Sequence, residues 1–208
     1  MQEPISAKIV FGLSPIRGSI LQGDSEILFW RRTDVTGLER LMLHISADVV
    51  LAESTVICVE DGGFRLDHRW RLTPDWRAQS LDVDRWGPAG HIHLTLERMD
   101  GGWRVNGQQR PDLDGAEEPD LSVTPFCNTF PIRRIPAGVR QSRTLDTCFV
   151  DGAAMTIQRS RQRYDRLGPD RVRYVDLGVS AGFEAELEVD NRGLVLRYQH
   201  LFERVTPV

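Results

Sequence analysis

The nine residues FRLDHRWRL, positions 64–72, alternate without a break. Phe64, Leu66, His68, Trp70 and Leu72 fall on one side of an extended chain, and Arg65, Asp67, Arg69 and Arg71 on the other. A helix would scatter these two sets around its axis, so the stretch predicts a strand with one buried face. The same period returns in HIHLTLER, where Ile92, Leu94 and Leu96 share a face, and in FEAELEVD. There Phe183, Ala185, Leu187 and Val189 oppose Glu184, Glu186, Glu188 and Asp190. Weaker runs at 26–31, 39–45, 49–59, 76–83, 103–105, 143–150, 154–164, 171–177 and 194–198 read as further strands. Asp61-Gly62 and Asp100-Gly101 are hairpin-turn dipeptides, so neighbouring strands are expected to pair antiparallel in chain order. EDGGF and MDGGW are then two hairpin turns and not the units of a repeat. The expectation is a mainly β chain of one domain.

Charge and cysteine usage narrow the function classes. With 26 Lys and Arg against 30 Asp and Glu, the net charge of -4 disfavours nucleic acid, whose binders neutralise phosphates. The N-terminus lacks the basic start and apolar core of a secretory signal, and no run approaches the roughly 18 apolar residues of a membrane span. A cytoplasmic location without stable membrane insertion is expected. Cys58, Cys127 and Cys148 fit no zinc or redox spacing and read as buried thiols. No nucleophile elbow, zinc-protease helix, phosphate loop or dinucleotide fingerprint occurs, so no catalytic residue, metal site or cofactor is assigned.

Two surface pairs keep chemistry open. His91 and His93 share a strand face and could place two imidazoles on one metal, although no third ligand is evident. Asp82 and Asp84 share another and could form a carboxylate pair. An enzyme acting on a lipid-like or small apolar substrate would use these as acid and base groups, and needs a cleft that unites at least two of them. Arg159, Arg161 and Arg163 form a basic row suited to phosphate or carboxylate groups. The competing reading pairs that row with Glu184, Glu186 and Glu188 across the sheet.

One long connection, between the strands at 103–105 and 143–150, divides the meander into a larger and a smaller group. At its heart TPFCNTFPIRRI, residues 124–135, has neither a helical stripe nor a two-residue period. Pro125 and Pro131 restrict its backbone, and Phe126 and Phe130 can anchor it in the core, so it reads as a rigid bridge. Arg133 and Arg134 are left to face either a ligand mouth or an internal carboxylate.

DLSVTPFCNTFPIRRI resembles the signature of a glycolipid-binding family of bacterial proteins, D-L-x-x-T-P-x-x-N-T-x-P-I-R-R. The likeness continues in ILFWRRTDVTGLER with Trp30 and Glu39, DGGWRVNG with Trp103 and Gly107, RQRYDRL with Tyr164, and NRGLVLRYQHLFERV with Tyr198 and Phe202. Ala116 and Cys127 stand where members often carry Cys and Thr. The resemblance implies a single-domain antiparallel spiral β-roll or incomplete barrel over 26–208, similar to bacterial lipoprotein carriers, with residues 1–25 as an extension it does not cover. It further implies a non-catalytic lipid or glycolipid binder or carrier with an apolar concavity between sheets, which Trp70, Trp76, Trp86 and Phe183 could line. The partner would be a small amphipathic ligand, glycolipid or fatty acyl. Asn128, Thr129, Arg133, Arg134, Trp30 and Tyr164 are the ligand-binding candidates. No oligomeric state is assigned.

Overall fold

Fifteen strands form one sheet in a computed structural model that describes residues 23–136, 138 and 140–206. Most of the expected N-terminal extension, residues 1–22, lies outside the described residues. The first group is a meander of β1 (Gly23–Arg32), β2 (Gly37–Ser46), β3 (Val50–Cys58), β4 (Phe64–Leu72), β5 (Ala78–Gly87), β6 (Gly90–Met99), β7 (Gly102–Val105) and β8 (Gln108–Gln109). The connection contains β9 (Glu118–Leu121) and a short helix α1 (Thr129–Arg133). The second group follows as β10 (Ser142–Asp151), β11 (Thr156–Arg166), β12 (Arg171–Asp176), β13 (Glu184–Val189), β14 (Val195–Tyr198) and β15 (Phe202–Val205). The sheet is mainly antiparallel and does not close into a barrel, as a spiral roll requires.

The alternation of β4 is realised residue by residue: Phe64, Leu66, His68, Trp70 and Leu72 are buried, while the arginines between them are exposed. Trp76 departs from the strand expected over 76–83. It sits in the preceding turn with φ 63, where its amide donates to the Thr73 carbonyl, and β5 starts two residues later.

Strand order departs from a simple meander in two places. The groups meet through β1 and β15, the first and last strands, while β8 and β9, neighbours in the chain, occupy opposite edges of the sheet. β9 joins β10 in parallel, which an all-antiparallel reading did not foresee. The edges are brought near each other by curling: the Ala78 amide on β5 donates to Glu118 Oε2 on β9 at 2.8 Å, and Trp103 Nε1 donates to the Ala116 carbonyl at 2.9 Å. The curl tucks β10 inside. Cys148 and Val150 on one of its faces join the core of the first group, whereas Leu145 on the other belongs to the second group's cluster.

The connection is a plug between the groups. A 3-10 turn over Phe126–Asn128 runs into α1, and every residue from Val123 to Ile132 is buried. A one-turn helix buried but for its last residue, Arg133, shows no amphipathic stripe, which is why the sequence period was silent there. Phe126 and Phe130 pack edge-on to Trp70, with centroids 6.1 and 5.2 Å away, and Phe126 also meets Trp76 at 6.1 Å. Trp70 and Trp76, expected around a concavity, are thus packed against the plug. Trp86 is on the outer face, stacked on His91 and beneath the Arg65 guanidinium.

Candidate functional site

Three polar contacts fix the plug, each to a different part of the sheet. Thr124 Oγ1 donates to Glu39 Oε1 on β2 at 2.9 Å, Asn128 Nδ2 to the Tyr164 hydroxyl on β11 at 2.9 Å, and Arg134 to Glu118 Oε1 at the seam at 2.7 Å. Arg134 therefore faces an internal carboxylate, one of its two sequence alternatives. Its second amino group donates to the Trp76 carbonyl, and burial lowers its pKa against the pull of Glu118. Burial likewise raises the Glu118 carboxyl, with Arg134 and Arg98 drawing it back.

Glu39 anchors a buried knot. Its Oε1 accepts from Ser54, Thr124 and His68 Nε2, the last at 3.0 Å, while Oε2 has no partner among the described residues. Ser54 and His68 face each other in the β3–β4 ladder, which the inward period of both strands dictates. Trp70 Nε1, which can only donate, reaches His68 Nδ1 at 2.9 Å. The imidazole hydrogen therefore resides on Nε2, and the ring is neutral in this network.

Beside the plug, on the second group's inner face, lies a cavity of about 360 Å³. Phe149, Tyr174, Phe183, Tyr198 and Phe202 supply its rings, and Asp120, Asp176 and Asn128 are among its polar groups. The strands put them there by alternation: Val172, Tyr174 and Asp176 point inward from β12, as Phe183 does before β13. Asp176 accepts from the Gly178 amide at 2.7 Å and the Tyr174 hydroxyl at 3.2 Å. Asp120 accepts from the Cys127 thiol at 3.1 Å and from Gln162 Nε2. Burial raises the Asp120 carboxyl, its two donors lower it, and the charge of Asp176 adds to the rise. Burial also pushes the Cys127 thiol well above its ordinary value, with Asp120 reinforcing the effect, which disfavours the thiolate. All three cysteines are free and buried.

The six expected ligand residues separate. Asn128 lines the cavity, and Tyr164 stands behind it, donating onward to Gln162 at 3.1 Å. Thr129 is fully buried, its hydroxyl without a partner among the described residues. Trp30 lies in the core with Nε1 on the Val195 carbonyl at 2.8 Å. Arg133 stacks on Trp76, its guanidinium carbon 4.6 Å from the ring centroid, and borders a separate depression with Arg166 and Arg192.

The other candidates are on the outer surface. Asp84 Oδ1 is shared by His91 and His93 at 2.9 Å each, and both imidazoles are about half exposed. Burial would raise Asp84, but His91, Arg69 and His93 outweigh it and hold the carboxyl at about 2. Among the described residues, no group of three or more His, Cys, Asp or Glu side chains is placed to hold a metal ion. The basic row of β11 pairs locally: Arg159 and Arg161 meet Asp146 on β10, and Arg163 meets Asp165. Its expected pairing with the glutamates of β13 fails because β12 lies between. Glu186 instead meets Arg171 and Arg173, and Glu188 meets Arg197.

Sequence reasoning passed over Asp120, Asp176, Tyr174, Tyr198 and Phe202 as site residues. Asp120, Tyr198 and Phe202 lay within the segments that carried the family resemblance, so a signal existed for them. Asp176 and Tyr174 had only the inward period of β12.

The profile of the family described as "Putative glycolipid-binding" matches residues 27–204. Among solved structures, the crystal structure of a DUF1089 family protein from Pseudomonas aeruginosa is similar, with a TM-score of 0.71 and 31% identity over 80% of this chain and 92% of that one. No curated protein matches. No helix among the described residues is long and apolar enough to cross a membrane. With a profile that spans nearly the whole described sheet and a structural relative of the same architecture, the chain belongs to the Putative glycolipid-binding family.

Proposed function

We propose that the protein is a non-catalytic binder of a glycolipid-like amphiphile and that the sugar head group occupies the cavity beside the plug. The observation that carries this reading is the meeting of five aromatic rings with Asp120, Asp176 and Asn128 around one space of about 360 Å³. A sugar ring offers an apolar face for stacking and a rim of hydroxyls that need directed partners, and such a lining serves both. Leu121, Phe149 and Leu201 add apolar wall on which the first methylenes of a lipid can rest. A whole diacyl lipid exceeds this volume, so recognition is of the head-group end, and any carrier role would leave most of the chain outside.

Asn128 is the ligand contact among the six sequence candidates, and Tyr164 positions it. Arg134, Thr129 and Trp30 serve the plug and the core. Calorimetry with monomeric octyl glucoside tests the reading: saturable binding is expected, weakened about fivefold or more by Phe183→Ala, since an aromatic contact to a sugar face is worth about 1 kcal/mol or more. Absence of saturable binding by any alkyl glycoside, or binding that Phe183→Ala leaves untouched, overturns it.

A further inference from the structure

The electrostatics of the cavity are one-sided. Glu60, Asp120, Asp151 and Asp176 line it, against a single guanidinium, Arg32. That guanidinium is already committed, with Nε on Asp34 Oδ1 at 3.0 Å and one amino group on Glu60 Oε2 at 2.6 Å. Behind the wall, Thr124 leads to the Glu39 carboxylate, whose Oε2 is buried without a partner among the described residues and whose imidazole neighbour is neutral. Among the described residues that line the cavity, no cation remains free to meet an anionic ligand.

The rings add to the same field. Tyr174 lies 6.1 Å from Phe183 and 5.8 Å from Tyr198, and Tyr198 lies 6.2 Å from Phe202, all centroid to centroid and tilted. Aromatic faces carry partial negative charge and attract a desolvated cation, most strongly where carboxylates stand nearby. Asp176 still has lone-pair capacity beyond its two donors. The repulsion between Asp120 and Asp176 is relieved by a positive group placed between them.

We infer that the cavity selects a cationic, amine-bearing head group, of the kind an amino sugar on a lipid chain presents, over neutral and anionic ones. The inference rests on the reading of this cavity as the head-group site. Its chemistry differs from that reading in one respect: stacking and hydroxyl contacts serve any sugar, whereas a ring of carboxylates and aromatic faces without a free guanidinium rewards positive charge alone.

Octyl glycosides of glucose, glucosamine, N-acetylglucosamine and glucuronic acid, with identical chains, separate the two ideas. Measured by calorimetry at about pH 6, where an aliphatic amine is protonated, the glucosamine glycoside is expected to bind about tenfold tighter than the glucose one, a typical gain for a desolvated cation on aromatic faces. Acetylation should abolish the advantage without removing the ring, and the glucuronide should bind most weakly. In Asp176→Asn the amine-to-neutral ratio should fall towards one, and Asp120→Asn provides the same reading should the first variant not fold. Equal affinity for the charged and acetylated amines overturns the inference while leaving head-group binding intact. Failure of all four glycosides to bind overturns both.

Discussion

The inner faces of the two strand groups are built by the same alternation and end in opposite states. In the first group the inward rows are Leu28 and Trp30, Leu41 and Leu43, Leu66 and Trp70, Leu81 and Val83, all but dry, with the Glu39 knot and the Arg85 guanidinium over Phe64 as polar exceptions. In the second they include Thr147, Ser160, Gln162, Tyr164, Tyr174 and Asp176. Large apolar side chains interdigitate with the plug and fill the space. Polar side chains that need directed partners hold their neighbours apart and leave a cavity. The difference teaches that a roll of this kind can separate its duties, one arc supplying stability and the other a site.

The comparison breaks most sharply at matched phenylalanines. Phe130→Ala, which removes a ring packed on Trp70 and Phe126, should cost about 3–5 kcal/mol in urea unfolding. Phe183→Ala, at the cavity wall where solvent already reaches, should cost less than about 1 kcal/mol. Similar losses at both positions would mean that the second group is as tightly packed as the first. Next in size is the polar knot: Glu39→Ala strands three buried donors and should destabilise by about 2–3 kcal/mol, against about 1 kcal/mol for Thr124→Val, which removes one of them.

Two aspartates extend the contrast to pH. Asp84 on the outer face is held at about 2, below its unfolded value of about 4, so it contributes stability that is present above about pH 4 and lost as pH falls towards 2. Asp120 is raised, so its native form favours the proton, and stability is lost as pH rises from about 4 through its folded value. Unfolding profiles should therefore show less acid loss in Asp84→Asn and less loss towards neutral pH in Asp120→Asn. Slopes of the same sign in both variants would contradict the assignment. The smallest effect is expected at Arg159→Gln, an exposed partner of Asp146, whose urea midpoint should be indistinguishable from that of the unaltered chain.

Much of the fold was legible where one face is wet. β4 and β13 read directly from their period because their outward residues are charged. β9 was not, since its four residues EPDL include a proline and lie in an acidic loop whose strand character depends on the edge of β10. Helix α1 escaped because only its last residue, Arg133, reaches solvent. The cavity escaped for a different reason: Asp120 and Asp176 come from β9 and β12, and only the curl of the sheet makes them neighbours. The resemblance marked Asp120 and Asn128 as belonging to a signature. What they do follows from packing, which no spacing along the chain encodes.

The pairing of β1 with β15 sets the order of assembly. Arg31 and Glu203, bonded across that ladder, are separated by 172 positions in the chain, whereas the hairpins on either side need only a few residues to close. Loop-closure entropy favours the local hairpins first and delays contacts between distant segments. The two arcs can thus form as separate meanders, held together by the plug, and the ladder that makes them a single sheet is the last to be laid.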